Sequence, residues 1–97
     1  MPKFRVKIHG HNFLLELEGV RRRMGFYTQV FTEAEDADEA EVRALDVLRK
    51  DSKLRDGMLN GPDDRPSMSV EGIERIHSFA GWALPRTGLA FYAEEQE

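Results

Sequence analysis

The sequence has no cysteine, only four prolines and no long apolar run. Without cysteine, a disulfide scaffold and any cysteine-ligated zinc or iron–sulfur site are excluded. No apolar stretch approaches the roughly 18 residues that a membrane-spanning helix needs. The first residues, Met1 to Arg5, lead directly into alternating sequence. We therefore expect no signal peptide, no membrane partner and a cytoplasmic location.

Catalytic motifs are also missing. The sequence has no nucleophile elbow, P-loop or dinucleotide fingerprint, and no serine has a partner histidine at a recognisable spacing. The acidic run from Glu33 to Glu41 lacks the central glycine and terminal glutamate of an EF-hand loop, and the start of a helix explains it. We therefore predict that the protein is not an enzyme and uses no cofactor.

Histidine is scarce, and two of the three histidines are separated by a single residue. His9 and His11 have a spacing that metal sites use, but a turn at Gly10 would disrupt that geometry. The sequence places no third ligand beside them. We therefore interpret the pair as a polar hairpin tip and predict no metal site.

Charge is abundant and unevenly distributed. Charged residues make up 33% of the chain, and the formal net charge is -4. Residues 1–25 carry a net charge of +4, whereas residues 26–64 carry -6. Such an asymmetry marks either a nucleic-acid or anion partner, or two segments that neutralise each other in space. The length and the 40% hydrophobic content predict one small domain, 1–97, with a modest core.

The first 18 residues predict a β-hairpin, because apolar and polar residues alternate on both sides of a glycine. A type II′ turn at Gly10-His11 has glycine at its first central position, and it fixes the register. The register pairs Ile8 with Phe13, Val6 with Leu15, Phe4 with Leu17, Arg5 with Glu16, and Lys3 with Glu18. A basic loop over 19–25 follows.

The middle of the chain predicts a strand and then a helix. Residues 25–32 are rich in aromatic and β-branched residues on both faces, which indicates a central or covered strand. Asp36 is positioned to cap a helix, with Glu39 as its capping-box partner. The apolar face of this helix consists of Ala37, Ala40, Ala44, Leu45, Val47 and Leu48.

The remaining residues predict a loop and two strands. Residues 51–67 contain repeated glycine and proline breaks, so we expect a long connection that is mobile, functional or both. Residues 68–76 alternate as a strand, although some apolar residues also have helical spacing. A final strand is expected from Thr87 to Tyr92, and residues 94–97 are expected to fray.

These elements predict an α+β fold. The expected architecture is a two-layer sandwich in which one main helix packs on a mainly antiparallel sheet of about five strands, in the order β-β-β-α-β-β. The segment 25–76 is also long enough for a crossover that would place a parallel pair inside the sheet.

The block from Gly25 to Asp51 resembles small uncharacterised bacterial α+β proteins and the strand–helix unit of HicB-like antitoxins. The resemblance rests on Asp36, the pair Glu39-Ala40, Ala44 and Leu48. The chain lacks the Gly-Cys segment that precedes the helix in HicB-like proteins. It also lacks their C-terminal DNA-binding element. The resemblance therefore implies a strand–helix unit and an antitoxin-like role, and it carries over no functional residue.

Two groups of residues are candidate contacts. Arg21, Arg22 and Arg23, with the basic residues of the first strand, form a candidate anion or nucleic-acid contact, and the competing interpretation is a solvated loop. Phe79, Trp82 and Tyr92 form a candidate partner surface, and the competing interpretation is that Trp82 caps the core. The arginine triplet and Asp63-Asp64 are the charges that the predicted elements leave unexplained.

We therefore predict a small protein-binding or regulatory module that acts through a sheet edge and the loop 51–67. Its partner would be another protein, or itself as a homodimer. The alternative is an antitoxin-like or nucleic-acid-associated module that uses Arg21–Arg23. A small ligand binder or enzyme with a site at a dimer interface is the third hypothesis.

Overall fold

In the computed structural model, which describes residues 1–94, four strands form one antiparallel sheet and two helices pack on one of its faces. The elements are β1 (Lys3–Leu17), β2 (Val20–Glu33), α1 (Ala37–Arg49), α2 (Ser52–Gly57), β3 (Ser67–Ile76) and β4 (Ala90–Ala93). The strands lie side by side in the order β3-β1-β2-β4. The predicted α+β class and antiparallel sheet are confirmed, but the described residues contain four strands rather than about five.

The predicted turn at Gly10-His11 is wrong. β1 continues through these residues, and the chain reverses at Glu18-Gly19, where φ is 53° and 80°. Positive φ at both central residues is what a type I′ hairpin turn requires. A β-bulge between Gly10 and Phe13 adds one residue to β1. Because of this extra residue, the alternation of apolar and polar residues shifts by one position at the bulge. In the sequence, that shift resembles a turn between two strands.

The register predicted from that turn is wrong as well. Each half of β1 pairs with β2 instead of with the other half, so Val6 lies opposite Val30. The guanidinium of Arg5 donates to Glu74 on β3 at 2.5 Å, and the predicted partner Glu16 lies 3.9 Å from Arg21. The predicted basic loop over 19–25 is mostly the start of β2.

Gly10 is required by a close approach of the neighbouring strand. It lies directly opposite Phe26, and a Cβ atom at position 10 would overlap the Phe26 ring. That ring is fully buried and makes edge-on contacts with Phe13 at 5.1 Å and Phe91 at 5.9 Å. The glycine therefore allows the largest of the fully buried side chains to lie across β1.

The predicted helix is confirmed as α1. Asp36 accepts a hydrogen bond from the backbone N–H of Glu39 at 2.9 Å, and the Glu39 carboxylate accepts one from the N–H of Glu35 at 3.1 Å. The Glu39 carboxylate therefore completes the capping box at the N–H of Glu35, one residue before the expected N–H of Asp36. The buried face consists of Ala40, Ala44 and Leu48, with Leu45 and Val47 partly buried beside it. The small alanines allow the helix to lie close to the sheet.

The predicted long loop over 51–67 contains a second helix. Asp51 caps α2 by accepting hydrogen bonds from the N–H groups of Lys53 at 3.0 Å and Leu54 at 3.4 Å. Leu54 is buried in the core, and Met58 bridges to Leu15 of β1. The aspartate cap and the buried leucine therefore make this segment part of the helical layer.

The residues after α2 are held by the β1 bulge. Asn60 accepts a hydrogen bond from the N–H of Leu14 at 2.9 Å and donates to the carbonyl of Asn12 at 2.9 Å. Arg23 donates to the side chains of Asn12 and Asp64, the latter at 2.9 Å. The Asn12 and Arg23 hydrogen bonds to Asp64 hold the pKa of its carboxyl below the ordinary value, and its partial burial opposes them. Arg23 and Asp64, two charged residues that the predicted elements left unexplained, thus neutralise each other.

The last two strands flank the hairpin on opposite sides. The predicted strand over 68–76 is confirmed as β3, and the predicted central position of residues 25–32 is confirmed by the place of β2 between β1 and β4. The final strand begins later than predicted, at Ala90, although Arg86 also bridges to Val30. All neighbouring strands are antiparallel. The predicted parallel pair is therefore not formed, because β1 separates β2 from β3.

In residues 1–94, neither helix has the length and apolar character needed to cross a membrane. The frayed end predicted for residues 94–97 falls mostly on 95–97, which lie outside the described residues.

Replacing Gly10 with alanine should destabilise the fold, because the new methyl group overlaps the buried Phe26 ring. We expect the free energy of unfolding to fall by about 1–3 kcal/mol, as for other overpacked cores. Urea denaturation measures this change. Gly72→Ala in β3 is the matched control, because nothing lies within 4 Å of the added methyl group. Equal effects of the two substitutions would contradict the proposed role of Gly10.

Asp51 also connects the helical layer to the last part of the chain. The Arg86 guanidinium donates to the Asp51 carboxylate at 2.5 Å and 3.0 Å, and the two side chains are 19% and 13% exposed. Burial acts to raise the pKa of Asp51, but the hydrogen bonds and charge of Arg86, with the N–H groups of α2, hold it below the ordinary value. The ionised form is therefore stabilised in the folded state.

The stability that this ion pair contributes should disappear in acid. It is fully present above the unfolded pKa of aspartate, about 3.9, and is lost as the pH falls through the lower folded pKa. Asp51→Asn keeps a capping oxygen and removes the charge. We expect the variant to be less stable than the parent at pH 6, with a difference that closes in acid denaturation series. Asp56→Asn, at an exposed pair with Arg55, should show no such difference. A pH-independent gap for Asp51→Asn would contradict this account.

Candidate functional site

One face of the sheet carries the helices, and the opposite face carries no helix within residues 1–94. We call this second surface the open face. Strand alternation places on it Arg5, Lys7, His9, Tyr27, Gln29, Phe31 and Tyr92. Phe79 and Trp82, from the segment after β3, pack against Phe31 at one end of the same face. The three residues predicted as a partner surface therefore share one face of the sheet.

The first group on the open face is centred on Trp82. Its ring stacks on Phe31 with centroids 5.0 Å apart, and Phe79 approaches Phe31 edge-on at 6.4 Å. The guanidinium of Arg5 lies 5.3 Å from the Trp82 ring centroid while it binds Glu74. Trp82 is 39% exposed. It therefore covers buried Phe31 and also presents aromatic surface to solvent, which unites the two interpretations made from the sequence.

The second group is centred on His9. Its ring stacks on Tyr27 at 4.1 Å and contacts His11 at 3.8 Å. Its Nε2 atom lies 2.5 Å from the Tyr92 hydroxyl, and its Nδ1 atom lies 3.2 Å from a Glu71 oxygen. The four strands thus contribute to one cluster: Glu71 from β3, the two histidines from β1, Tyr27 from β2 and Tyr92 from β4.

The protonation of Tyr92 orients this cluster. Burial, followed by the charge of Glu94 and the neighbouring Tyr27, raises the pKa of the Tyr92 phenol above its ordinary value. The phenol therefore keeps its proton and can donate it to Nε2 of His9. In that arrangement Nδ1 carries a proton and faces the Glu71 carboxylate. This chain of carboxylate, imidazole and phenol holds the His9 ring in one orientation.

A glycine also gives Tyr92 its place. Gly25 lies directly opposite Tyr92, and a Cβ atom at position 25 would overlap the phenol ring. Glycine therefore lets the Tyr92 ring lie across β2 and reach His9. Tyr92 also stacks on Tyr27 with centroids 5.7 Å apart.

A trough separates the Trp82 and His9 groups. Lys7 and Gln29 lie opposite each other along it. A cavity of about 640 Å³ is lined there by these two residues, Tyr27, Glu71 and Thr87, among others. The Gln29 Oε1 atom is buried without a hydrogen-bond partner, as is Nε of Arg5 at the edge of the trough, among residues 1–94. Lys7 is exposed and has no carboxylate within ion-pair distance in that part of the chain.

The arginine triplet does not form one patch. Arg21 and Arg23 lie on one face of β2 and pair with Glu16 and Asp64, whereas Arg22 lies on the other face. Arg23 lies opposite Leu14, seven residues along β1 from Lys7, which is about 23 Å at strand spacing. The structure therefore does not bring the triplet together with the basic residues at the start of β1.

Residues 1–94 contain no group of three or more His, Cys, Asp or Glu side chains arranged to hold a metal ion. The rings of His9 and His11 do lie together, because the predicted turn between them is absent. Tyr92 and Glu71 occupy both nitrogens of His9, and Ser69 lies 3.3 Å from Nε2 of His11. The pair is thus part of a hydrogen-bonded cluster.

Comparisons with protein-family models, curated proteins and solved structures each found no match. The resemblance to small bacterial α+β proteins and to HicB-like antitoxins therefore stays a prediction.

Sequence reasoning missed most of the open face. The predicted turn placed His9 and His11 at a hairpin tip, away from Tyr27. The signal that could have found the cluster is the continued alternation of Arg5, Lys7 and His9 with apolar residues. If that alternation is extended along one strand, Arg5, Lys7 and His9 all point to one face of the sheet. Aromatic side chains of the neighbouring strand that point to this face then lie beside them.

Removing the Tyr92 hydroxyl should weaken the preference of the His9 ring for one tautomer. In Tyr92→Phe, Nε2 loses its donor while Glu71 still accepts from Nδ1–H, so the fraction of the second neutral tautomer should rise without replacing the first; long-range proton–nitrogen NMR measures this fraction directly. Tyr27→Phe is the matched control, because its ring stacks on His9 but its hydroxyl forms no hydrogen bond with residues 1–94. An unchanged tautomer fraction in Tyr92→Phe would contradict the proposed chain.

Proposed function

We propose that the protein is a non-enzymatic protein-binding module whose binding surface is the open face. The observation that carries this proposal is the exposure of Tyr27 and Trp82, 52% and 39%, on a sheet face without a covering helix in residues 1–94. Arg5 lies against Trp82 on the same face. Tryptophan, tyrosine and arginine are enriched among the few residues that contribute most of the binding energy at protein interfaces. Their position on a rigid sheet favours recognition without large rearrangement.

The occupant that fits the open face best is an extended segment of a partner protein. The trough lies between two aromatic groups whose positions on β2, Tyr27 and Phe31, are about 13 Å apart at strand spacing. An extended chain carries donors and acceptors along its length. These would match the ammonium group of Lys7 and, after a small side-chain shift, the buried oxygen of Gln29. Because Lys7 has no carboxylate partner in residues 1–94, we expect an acidic side chain of the partner beside it.

The charge pattern favours a protein partner over a nucleic acid. Binding to a phosphate backbone relies on several cations free to meet phosphates. On the open face, Arg5 is paired with Glu74, Arg21 with Glu16, and Arg23 with Asp64. These pairs lower the positive charge that a phosphate backbone would meet. The nucleic-acid role of Arg21–Arg23 stays a prediction.

The proposal differs from the surfaces first expected from the sequence. Most of the predicted loop 51–67 is used internally, by α2 and by the hydrogen bonds of Asn60 and Asp64. The exposed edge strand β3 has a register shift opposite Lys7 and Ile8. Such bulges reduce the tendency of an edge to add another strand. The open face is therefore the better candidate.

Site-specific photocross-linking in the native host tests this function. A photoreactive benzoylphenylalanine at position 7 or 27 should capture one discrete protein. The same group at position 42, an exposed valine on α1, should not. Adding Trp82→Ala should weaken the capture from position 27, because it removes one of the two most exposed aromatic side chains of the open face. Equal capture from positions 27 and 42, or none from positions 7 and 27, would contradict the proposal. A second copy of the chain as the captured protein would replace the extended segment with a homodimer.

A further inference from the structure

A second candidate site lies on the opposite side of the molecule, within the helical layer. α1, α2 and the start of β3 enclose a cleft of about 430 Å³. This volume falls in the range of small-molecule sites, about 300–1,000 Å³. Its apolar lining consists of Phe13, Leu45, Leu48, Leu54, Met58, Pro66 and Met68. The cleft therefore offers an apolar chain a place to leave water.

The charge around this cleft has one sign. Among residues 1–94, Arg49 and Arg55 are the only charged residues that line it, although the chain has 18 acidic and 14 basic residues. Arg49 forms no ion pair with residues 1–94, and Arg55 pairs with Asp56 at 3.1 Å on the exposed surface. Exposed pairs of this kind contribute little energy, so Arg55 remains open to another anion.

The lining also has groups that adapt to a flexible ligand. Met58 at the end of α2 is 36% exposed, and Met68 is partly buried across the cleft. Methionine side chains are unbranched and flexible, and they are frequent at surfaces that accept varied apolar ligands. Ser67 adds a hydroxyl beside the apolar lining.

We propose that this cleft binds a small amphiphilic carboxylate of the medium-chain fatty-acid class. The alkyl chain lies between Leu45, Leu54 and Met68, and the carboxylate is held by the guanidinium groups of Arg49 and Arg55. Arginine is suited to this role because its planar fork binds a carboxylate through two hydrogen bonds. The site is independent of the open face and of any protein partner there.

Decanoate is the probe that tests this site. Methyl-selective NMR is suited to the titration because the chain has four methionines, of which Met58 and Met68 line the cleft and Met24 is buried in the core. We expect saturable shifts at Met58 and Met68 and none at Met24. Decanol and decyltrimethylammonium, which share the alkyl length and lack the negative charge, should bind about tenfold more weakly or worse.

Charge-neutral variants separate carboxylate recognition from simple apolar contact. Arg49→Gln with Arg55→Gln should weaken decanoate about tenfold and leave decanol unchanged. Arg43→Gln, an exposed α1 arginine outside the cleft that pairs with Glu39, should change neither. No saturable shift at Met58 or Met68 would overturn the proposal. Equal binding of all three probes, or full decanoate affinity in the double variant, would also overturn it and leave only an apolar surface.

Discussion

The extra residue in β1 is the constraint on which the rest of the structure depends. β1 keeps its apolar side chains toward the helices on both sides of the bulge. β3 pairs with β1 only as far as His11, so the carbonyl of Asn12 and the N–H of Leu14 find their partner outside the sheet. Asn60 supplies partners for both. The segment after α2 is thereby fixed against the hairpin. This segment leads directly into β3. Its position therefore sets the outer edge of the sheet, which β3 forms, and one side of the cleft in the helical layer.

Two glycines perform the same task on opposite faces of the sheet. Gly10 leaves room for Phe26 on the helical side, and Gly25 leaves room for Tyr92 on the open face. In each case an aromatic ring from the neighbouring strand covers the backbone of a glycine. The first contact completes the core, and the second brings a phenol to His9. A glycine beneath an aromatic ring thus supports core packing on one face of the sheet and a polar cluster on the other.

The fold class and α1 were predictable because they rest on local signals. The Asp36 cap, the spacing of Ala40, Ala44 and Leu48, and the β-branched residues of β3 each act within a few positions of the chain. The long hairpin was not predictable in the same way. Gly10-His11 and Glu18-Gly19 both satisfy a turn, and the choice between them depends on Phe26, sixteen positions after Gly10. The open face was missed for the same reason. Its members, such as His9 and Tyr92, meet only once the strand order is known.

The contact between Asp51 and Arg86 has a consequence for the order in which the molecule is completed. During synthesis, the β1–β2 hairpin and α1 leave the ribosome before either flanking strand. Asp51, which caps α2, binds Arg86, and Arg86 emerges thirty-five residues later. Until Arg86 arrives, the Asp51 carboxylate is only half satisfied, and β2 has an uncovered edge. The segment from Arg86 to Ala93 therefore closes the helical layer and the sheet together, and the edge of β2 stays open to unwanted strand pairing until that segment has emerged.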